Sequence, residues 1–169
     1  MAVFSGGELV DIALGIERNG VAYYSSLAEI ATDASQKDTY NYLANMERNH
    51  IEIFQKMLDS IGKYQPTYAG EDEAEYELYL KALVDSAVFT NDKVARQMAQ
   101  KASGPAEAVQ IALGAEKDSI LFYSEMRELV PQRDRPIVNK IINEEKSHIR
   151  LLSDIKKKLL RKGEKQGCN

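Results

Sequence analysis

Residues 10–17, Val-Asp-Ile-Ala-Leu-Gly-Ile-Glu, return at 109–116 as Val-Gln-Ile-Ala-Leu-Gly-Ala-Glu, with six of eight positions identical at an offset of 99. The correspondence continues through Tyr24 and Tyr123 and through Ser25 and Ser124. A second pair, Glu47-Arg-Asn-His50-Ile and Glu145-Lys-Ser-His148-Ile, repeats at an offset of 98. A chain of 169 residues that repeats itself in this way is built from two copies of one unit. The composition, rich in Leu, Ile, Ala, Glu and Lys and without Trp, makes that unit helical.

Caps and breakers place four long helices. The first runs over about 7–30, opened by a capping box of Ser5 and Glu8. The second runs over about 36–61, with Ser35 and Asp38 at its start and Gly62 as its stop. The third runs over about 105–130, with Pro105 in its first turn and Pro131 beyond its end. The fourth runs over about 135–161, from Arg135 or Pro136 after an Asp134 cap, and stops before Gly163. Residues 62–104 form a long crossover, helical over Glu73–Phe89 and again over Asn91–Lys101. The predicted fold is all-α: two duplicated antiparallel hairpins joined by one partly helical crossover, the ferritin-like four-helix bundle topology. It is one domain over 1–162, with a flexible tail at 163–169.

The chain has only two histidines, and each lies three residues after a glutamate. Glu17 and Glu116 stand about thirty residues before these segments. In an antiparallel hairpin, residues equidistant from the turn share a height. The midpoint of Glu17 and His50 falls between Asp33 and Ala34, and that of Glu116 and His148 falls at Gln132, both inside predicted turns. Direction agrees as well. Leu43, Glu47, His50, Phe54, Met57 and Ile61 form one stripe, and Ile141, Glu145, His148, Leu152, Ile155 and Leu159 form its copy. These alternating four- and three-residue steps are the inner seam of a bundle. Glu17 and Glu116 also lie among apolar residues, including Leu9, Ala13 and Leu27 for the first and Val109, Ala112 and Ile120 for the second.

Four buried carboxylates need cations, since each costs several kcal/mol unpaired. No Lys or Arg occupies the inner stripes. Two divalent ions would balance the charge. Glu17, Glu47, His50, Glu116, Glu145 and His148 are therefore the candidate metal ligands. Carboxylates with one imidazole per ion suit Fe(II) or Mn(II), while Zn(II) binds such sites on raw affinity. The formal charge is −4, and removing the four glutamates leaves acidic and basic residues equal in number. Tyr24 and Tyr123, two turns after the lone glutamates, are candidates to hydrogen-bond a ligand carboxylate, with a plain core role as the alternative. Glu144 lies off the seam and reads as a solvated residue. Gly20 and Ser119, one turn after each lone glutamate, are small and leave room beside the carboxylates.

The net charge offers no footprint for nucleic acid, and no apolar run approaches the roughly 20 residues of a membrane span. No signal peptide is expected, and the single cysteine, Cys168, fits a reducing cytoplasm. The crossover tyrosines Tyr64, Tyr68, Tyr76 and Tyr79 read as packing the crossover onto its own bundle, with a dimer contact as the alternative. The expected assembly is a homodimer.

These motifs resemble the rubrerythrin and ferritin-like di-iron carboxylate proteins over about residues 5–161. The resemblance implies two iron ions bridged by Glu47 and Glu145, with Glu17 and Glu116 terminal and one histidine on each iron. It also implies reaction with peroxide or dioxygen. Rubrerythrins typically add a rubredoxin module with paired Cys-x-x-Cys motifs, which these residues lack, so electrons are expected from a separate, rubredoxin-like donor. Rubrerythrins also carry a further glutamate one turn after the third-helix ligand. Ser119 stands there in this sequence, and the six-ligand set is closer to the bacterioferritin type. Three functions follow as expectations: a di-iron oxidoreductase, an iron-binding or ferroxidase-type protein without a donor-coupled cycle, and a bundle that uses metals for stability alone.

Overall fold

Helices begin where an oxygen acceptor meets the free N–H groups of a first turn. The computed structural model describes residues 5–61, 64, 66 and 73–166. Helix α1 (Gly6–Ile30) opens with the expected capping box: the Glu8 N–H donates to Ser5 Oγ at 3.2 Å, and the Ser5 N–H donates to Glu8 Oε2 at 2.7 Å. Helix α2 (Ala34–Ile61) starts two residues earlier than expected, because Asp33 Oδ1 accepts from the Gln36 N–H at 3.0 Å. Helices α3 (Glu73–Asp85) and α4 (Asp92–Lys101) form the crossover, and Asn91 caps α4 by accepting from the Val94 N–H. Helix α3 stops short of Phe89. The backbone at Val88 and Phe89 is engaged by Asp118 and Asn19, which draws it out of helical geometry. Helix α5 (Pro105–Leu129) has proline in its first turn. Helix α6 (Arg135–Gln166) continues through Gly163, so residues 163–166 are helix rather than tail. One internal glycine costs about 1 kcal/mol relative to alanine, which a long helix absorbs. Tyr68 and Cys168 lie outside the described residues.

Helix α1 packs against α2, and α5 against α6, giving the two hairpins. The crossover binds back onto them, with α4 along α1 and α3 against α5. Tyr64 packs on the core while its carbonyl accepts from the Gly6 N–H at 2.8 Å, and the Tyr76 hydroxyl donates to Glu125 at 2.6 Å. These two tyrosines hold the crossover to its own bundle, whereas Tyr79 is 40% exposed. Two apolar clusters fill the interior, one including Leu9, Phe54, Tyr123 and Ile141, the other including Leu27, Leu43, Ala112 and Leu152. Along α2, Glu47 and His50 fall between Leu43 of one cluster and Phe54 of the other. Along α6, Glu145 and His148 fall between Ile141 and Leu152. The bundle is therefore apolar at both ends of a buried polar layer.

Candidate metal centre

The seam pattern turns Glu47, His50, Glu145 and His148 inward, and all four are buried, as are Glu17 on α1 and Glu116 on α5. They form two groups, Glu17–Glu47–His50–Glu145 and Glu47–Glu116–Glu145–His148. In each group one ligand atom per residue lies within 4.8 Å of all the others. Glu47 and Glu145 belong to both groups. His50 Nδ1 is 3.3 Å from Glu17, 3.3 Å from Glu47 and 2.9 Å from Glu145. His148 Nδ1 is 3.5 Å from Glu47, 3.6 Å from Glu116 and 2.9 Å from Glu145. The two rings stack with centroids 5.9 Å apart.

Within the cluster, His50 Nδ1 is within hydrogen-bond distance of Glu17 Oε2 at 3.3 Å. Both oxygens of Glu145 and both nitrogens of His148 are buried without a hydrogen-bond partner among the described residues, although Glu145 Oε2 and His148 Nδ1 are only 2.9 Å apart. Buried polar atoms left this way are rare and costly. These atoms belong to the two groups whose ligand atoms lie within 4.8 Å of one another, and a cation held there would satisfy them. Among the described residues, no Lys or Arg pairs with any of the four inner glutamates. Carboxylates and imidazoles in this arrangement are able to hold metal ions, and the residues fit a pair of divalent ions.

The model of the rubrerythrin family matches residues 8–156. The chain belongs to the rubrerythrin family. Among solved structures, it is similar to a protein from Thermotoga maritima described as a ferritin-like diiron-carboxylate protein, at 28% identity and a TM-score of 0.72, covering 91% of this chain and 95% of that one. It also shares its fold with a hypothetical protein from Pyrococcus furiosus, at 19% identity and a TM-score of 0.65, covering 95% and 94%. Among curated proteins, none matches the sequence.

In this member of the rubrerythrin family the tyrosines support the centre across the hairpins. Tyr123 on α5 donates to Glu17 Oε1 on α1 at 2.5 Å, and Tyr24 on α1 donates to Glu116 Oε1 on α5. Each hydroxyl thus holds the lone glutamate of the opposite half. Burial first, and the adjacent glutamates second, raise both phenols well above their ordinary range, so each stays a donor. Burial and the charges of Glu47 and Glu145 raise Glu17 and Glu116 well above the usual carboxylate range. Burial also acts to raise Glu47 and Glu145, but the neighbouring imidazoles outweigh it and hold both low. Burial acts to lower the histidines, but three carboxylates around each outweigh it and raise both.

Glu144 corrects the sequence reading. It is not merely solvated: its Oε2 lies 2.9 Å from His50 Nε2, and its side chain is only 26% exposed. One residue before Glu145, it is turned about 100° around α6 and reaches α2. The signal was present as the doubled glutamate Glu144-Glu145. The corresponding position of the first hairpin is Met46, so the repeat loses its symmetry at this point. His50 has an outer carboxylate, whereas the Nε2 of His148 has no hydrogen-bond partner among the described residues.

Beside the carboxylates, a cavity of about 200 Å³ lies between α1 and α5 under the crossover. Glu17, Glu47, Glu116 and Tyr24 line its inner end. Gly20 and Ser119 both border it, and a Cβ at Gly20 would come within 3.1 Å of Glu47 Cγ.

Proposed function

We propose that this chain is a di-iron carboxylate oxidoreductase that reduces peroxide or dioxygen with electrons from a separate donor, such as a rubredoxin-like protein. The observation that carries the reading is the pair of ligand groups sharing Glu47 and Glu145. Bound iron would supply one electron per ion. The remaining work belongs to the side chains. Glu47 and Glu145 would bridge the ions, and Glu17 with His50, and Glu116 with His148, would complete each position. Both histidines present Nδ1 to the centre, and the Nε2–H of His50 would donate to Glu144, leaving Nδ1 free as a ligand. Tyr123 and Tyr24 fix the two terminal glutamates through buried hydroxyls. The inner end of the cavity lets a small oxidant approach beside Gly20 and Ser119. No helix is long and apolar enough to cross a membrane, and a cytoplasmic setting with a homodimeric assembly fits the reading.

The description of the Thermotoga protein as diiron-carboxylate supports iron over manganese or zinc. A second reading, iron handling with ferroxidation but without a donor-coupled cycle, is favoured by Ser119, which stands where rubrerythrins carry a further glutamate. Stopped-flow mixing of the reduced, iron-loaded protein with hydrogen peroxide tests the first reading. Oxidation well above the rate of free Fe(II), repeated when a reduced rubredoxin is added, supports it. A rate equal to that of free Fe(II) removes it. Many irons oxidised per chain without donor turnover would select the second.

A further inference from the structure

The cavity is far larger than its inner end requires. Hydrogen peroxide has two heavy atoms, whereas a volume of about 200 Å³ exceeds the roughly 150 Å³ apolar cavity that accepts benzene. Empty space of this size weakens packing, and the chain maintains it with small residues. Gly15, Gly20, Ala87, Ala115 and Ser119 all border it. A Cβ on Gly15 would meet nothing within 4 Å. The Ser119 hydroxyl turns back to donate to the Ala115 carbonyl at 3.0 Å, so it does not make the cavity polar.

The walls and the inner end differ in chemistry. Ile12, Ile16, Leu83, Val84, Phe89 and Phe122 form an apolar wall, and Glu17, Glu47 and Glu116 form the polar inner end. The roof is held in place. Asn19 Nδ2 donates to the Phe89 carbonyl at 3.0 Å, and the Val88 N–H donates to Asp118 Oδ2 at 2.8 Å. Gly15, Asn19 and Thr90 also border an adjacent outer recess that includes Arg18 and Arg96. A preformed apolar chamber ending at a few polar groups selects a molecule with one polar end.

We propose that the cavity binds the apolar substituent of an organic hydroperoxide, ROOH, with its peroxide end at the carboxylates. The inference rests on the oxidoreductase reading and names its substrate class. In the balanced step the O–O bond breaks, and ROOH takes two electrons and two protons to give ROH and water. The two electrons would come from a reduced iron pair held by the six ligands, one per ion, and the two protons from solvent.

The test compares cumene hydroperoxide with hydrogen peroxide as oxidants of the reduced, iron-loaded chain, in wild type, Gly15→Leu and Ala115→Leu. Either leucine would occupy the chamber, and using two variants guards against one that misfolds. The expected result is a rate ratio of cumene hydroperoxide to hydrogen peroxide that falls at least tenfold in a folded variant. A second readout needs no turnover: calorimetric binding of cumyl alcohol to the redox-inert Zn(II)-loaded chain, expected to be saturable in wild type and at least tenfold weaker in the variants. If hydrogen peroxide oxidises the iron while the ratio is unchanged in both variants and cumyl alcohol does not bind, this inference fails and the oxidoreductase reading stands. If neither peroxide is reduced faster than by free Fe(II), the oxidoreductase reading fails and takes this inference with it.

Discussion

Glu144 makes the two ligand groups unequal, and its removal should weaken metal binding at one of them only. In wild type, the His50 Nε2–H has a carboxylate acceptor at 2.9 Å, which orients the ring and makes Nδ1 more basic. Among the described residues His148 has no such partner. Loss of an outer partner of a metal-bound histidine typically weakens metal affinity by about 10- to 100-fold, or about 1.4 to 2.7 kcal/mol. The Glu144 side chain is 26% exposed, so water replaces part of the lost bond, and Glu144→Ala should fall near the tenfold end. Glu144→Gln keeps a neutral acceptor and should lose less. The loss should be confined to the position formed by Glu17, Glu47, His50 and Glu145. Anaerobic calorimetric titration with Co(II), followed in parallel by its visible spectrum, resolves the two steps. Wild type should bind in two unequal steps, and Glu144→Ala should draw them together by weakening the tighter one. The matching change on the other hairpin, Met46→Glu, should strengthen the weaker step. Equal weakening of both steps by Glu144→Ala, or no change in either, refutes the reasoning.

Glu47→Ala removes a residue common to both ligand groups, so metal analysis should find fewer than two ions per chain. Undiminished content would contradict the bridging role. Tyr123→Phe leaves Glu17 without its buried phenol donor and should cost about 1–3 kcal/mol of stability, measurable by urea unfolding; a change below about 0.3 kcal/mol would leave the hydroxyl without a structural role. Metal affinity should rise with pH. His50, His148, Glu17 and Glu116 are all shifted toward their protonated forms by the surrounding carboxylates or by burial, so cations compete with protons for these groups. The sign follows directly: raising the pH removes those protons in advance and lowers the cost of binding. Calorimetry in two buffers of different ionisation enthalpy should show protons released on loading, and equal heats in both would count against it.

Much of the centre was legible in one dimension because a helix carries its own periodicity. The four- and three-residue steps through Glu47 and His50, and through Glu145 and His148, state which face turns inward. The near-palindromic spacing about each turn states which residues share a height. Those rules are local to a helix or a hairpin, and they brought six side chains to one layer before any packing was known. They say nothing about rotation between hairpins. That is why the tyrosines could be paired with a glutamate but not with the glutamate of the opposite half, and why Glu144 read as solvated. Its contact with His50 depends on how closely α6 approaches α2. Asp33 displaced Ser35 as the start of α2 through a single side-chain bond, and Gly163 failed to stop α6 because one weak breaker does not outweigh a long helix. The cavity was least legible of all. Gly20 and Ser119 hinted at space, but its volume arises where a crossover loop pinned by Asn19 and Asp118 spans two helices distant in sequence, and void space is a property of all three together. The residues, their faces and their heights were therefore determined by sequence periodicity, while their partners, their asymmetry and the chamber beside them were decided only by the packing of one hairpin on the other.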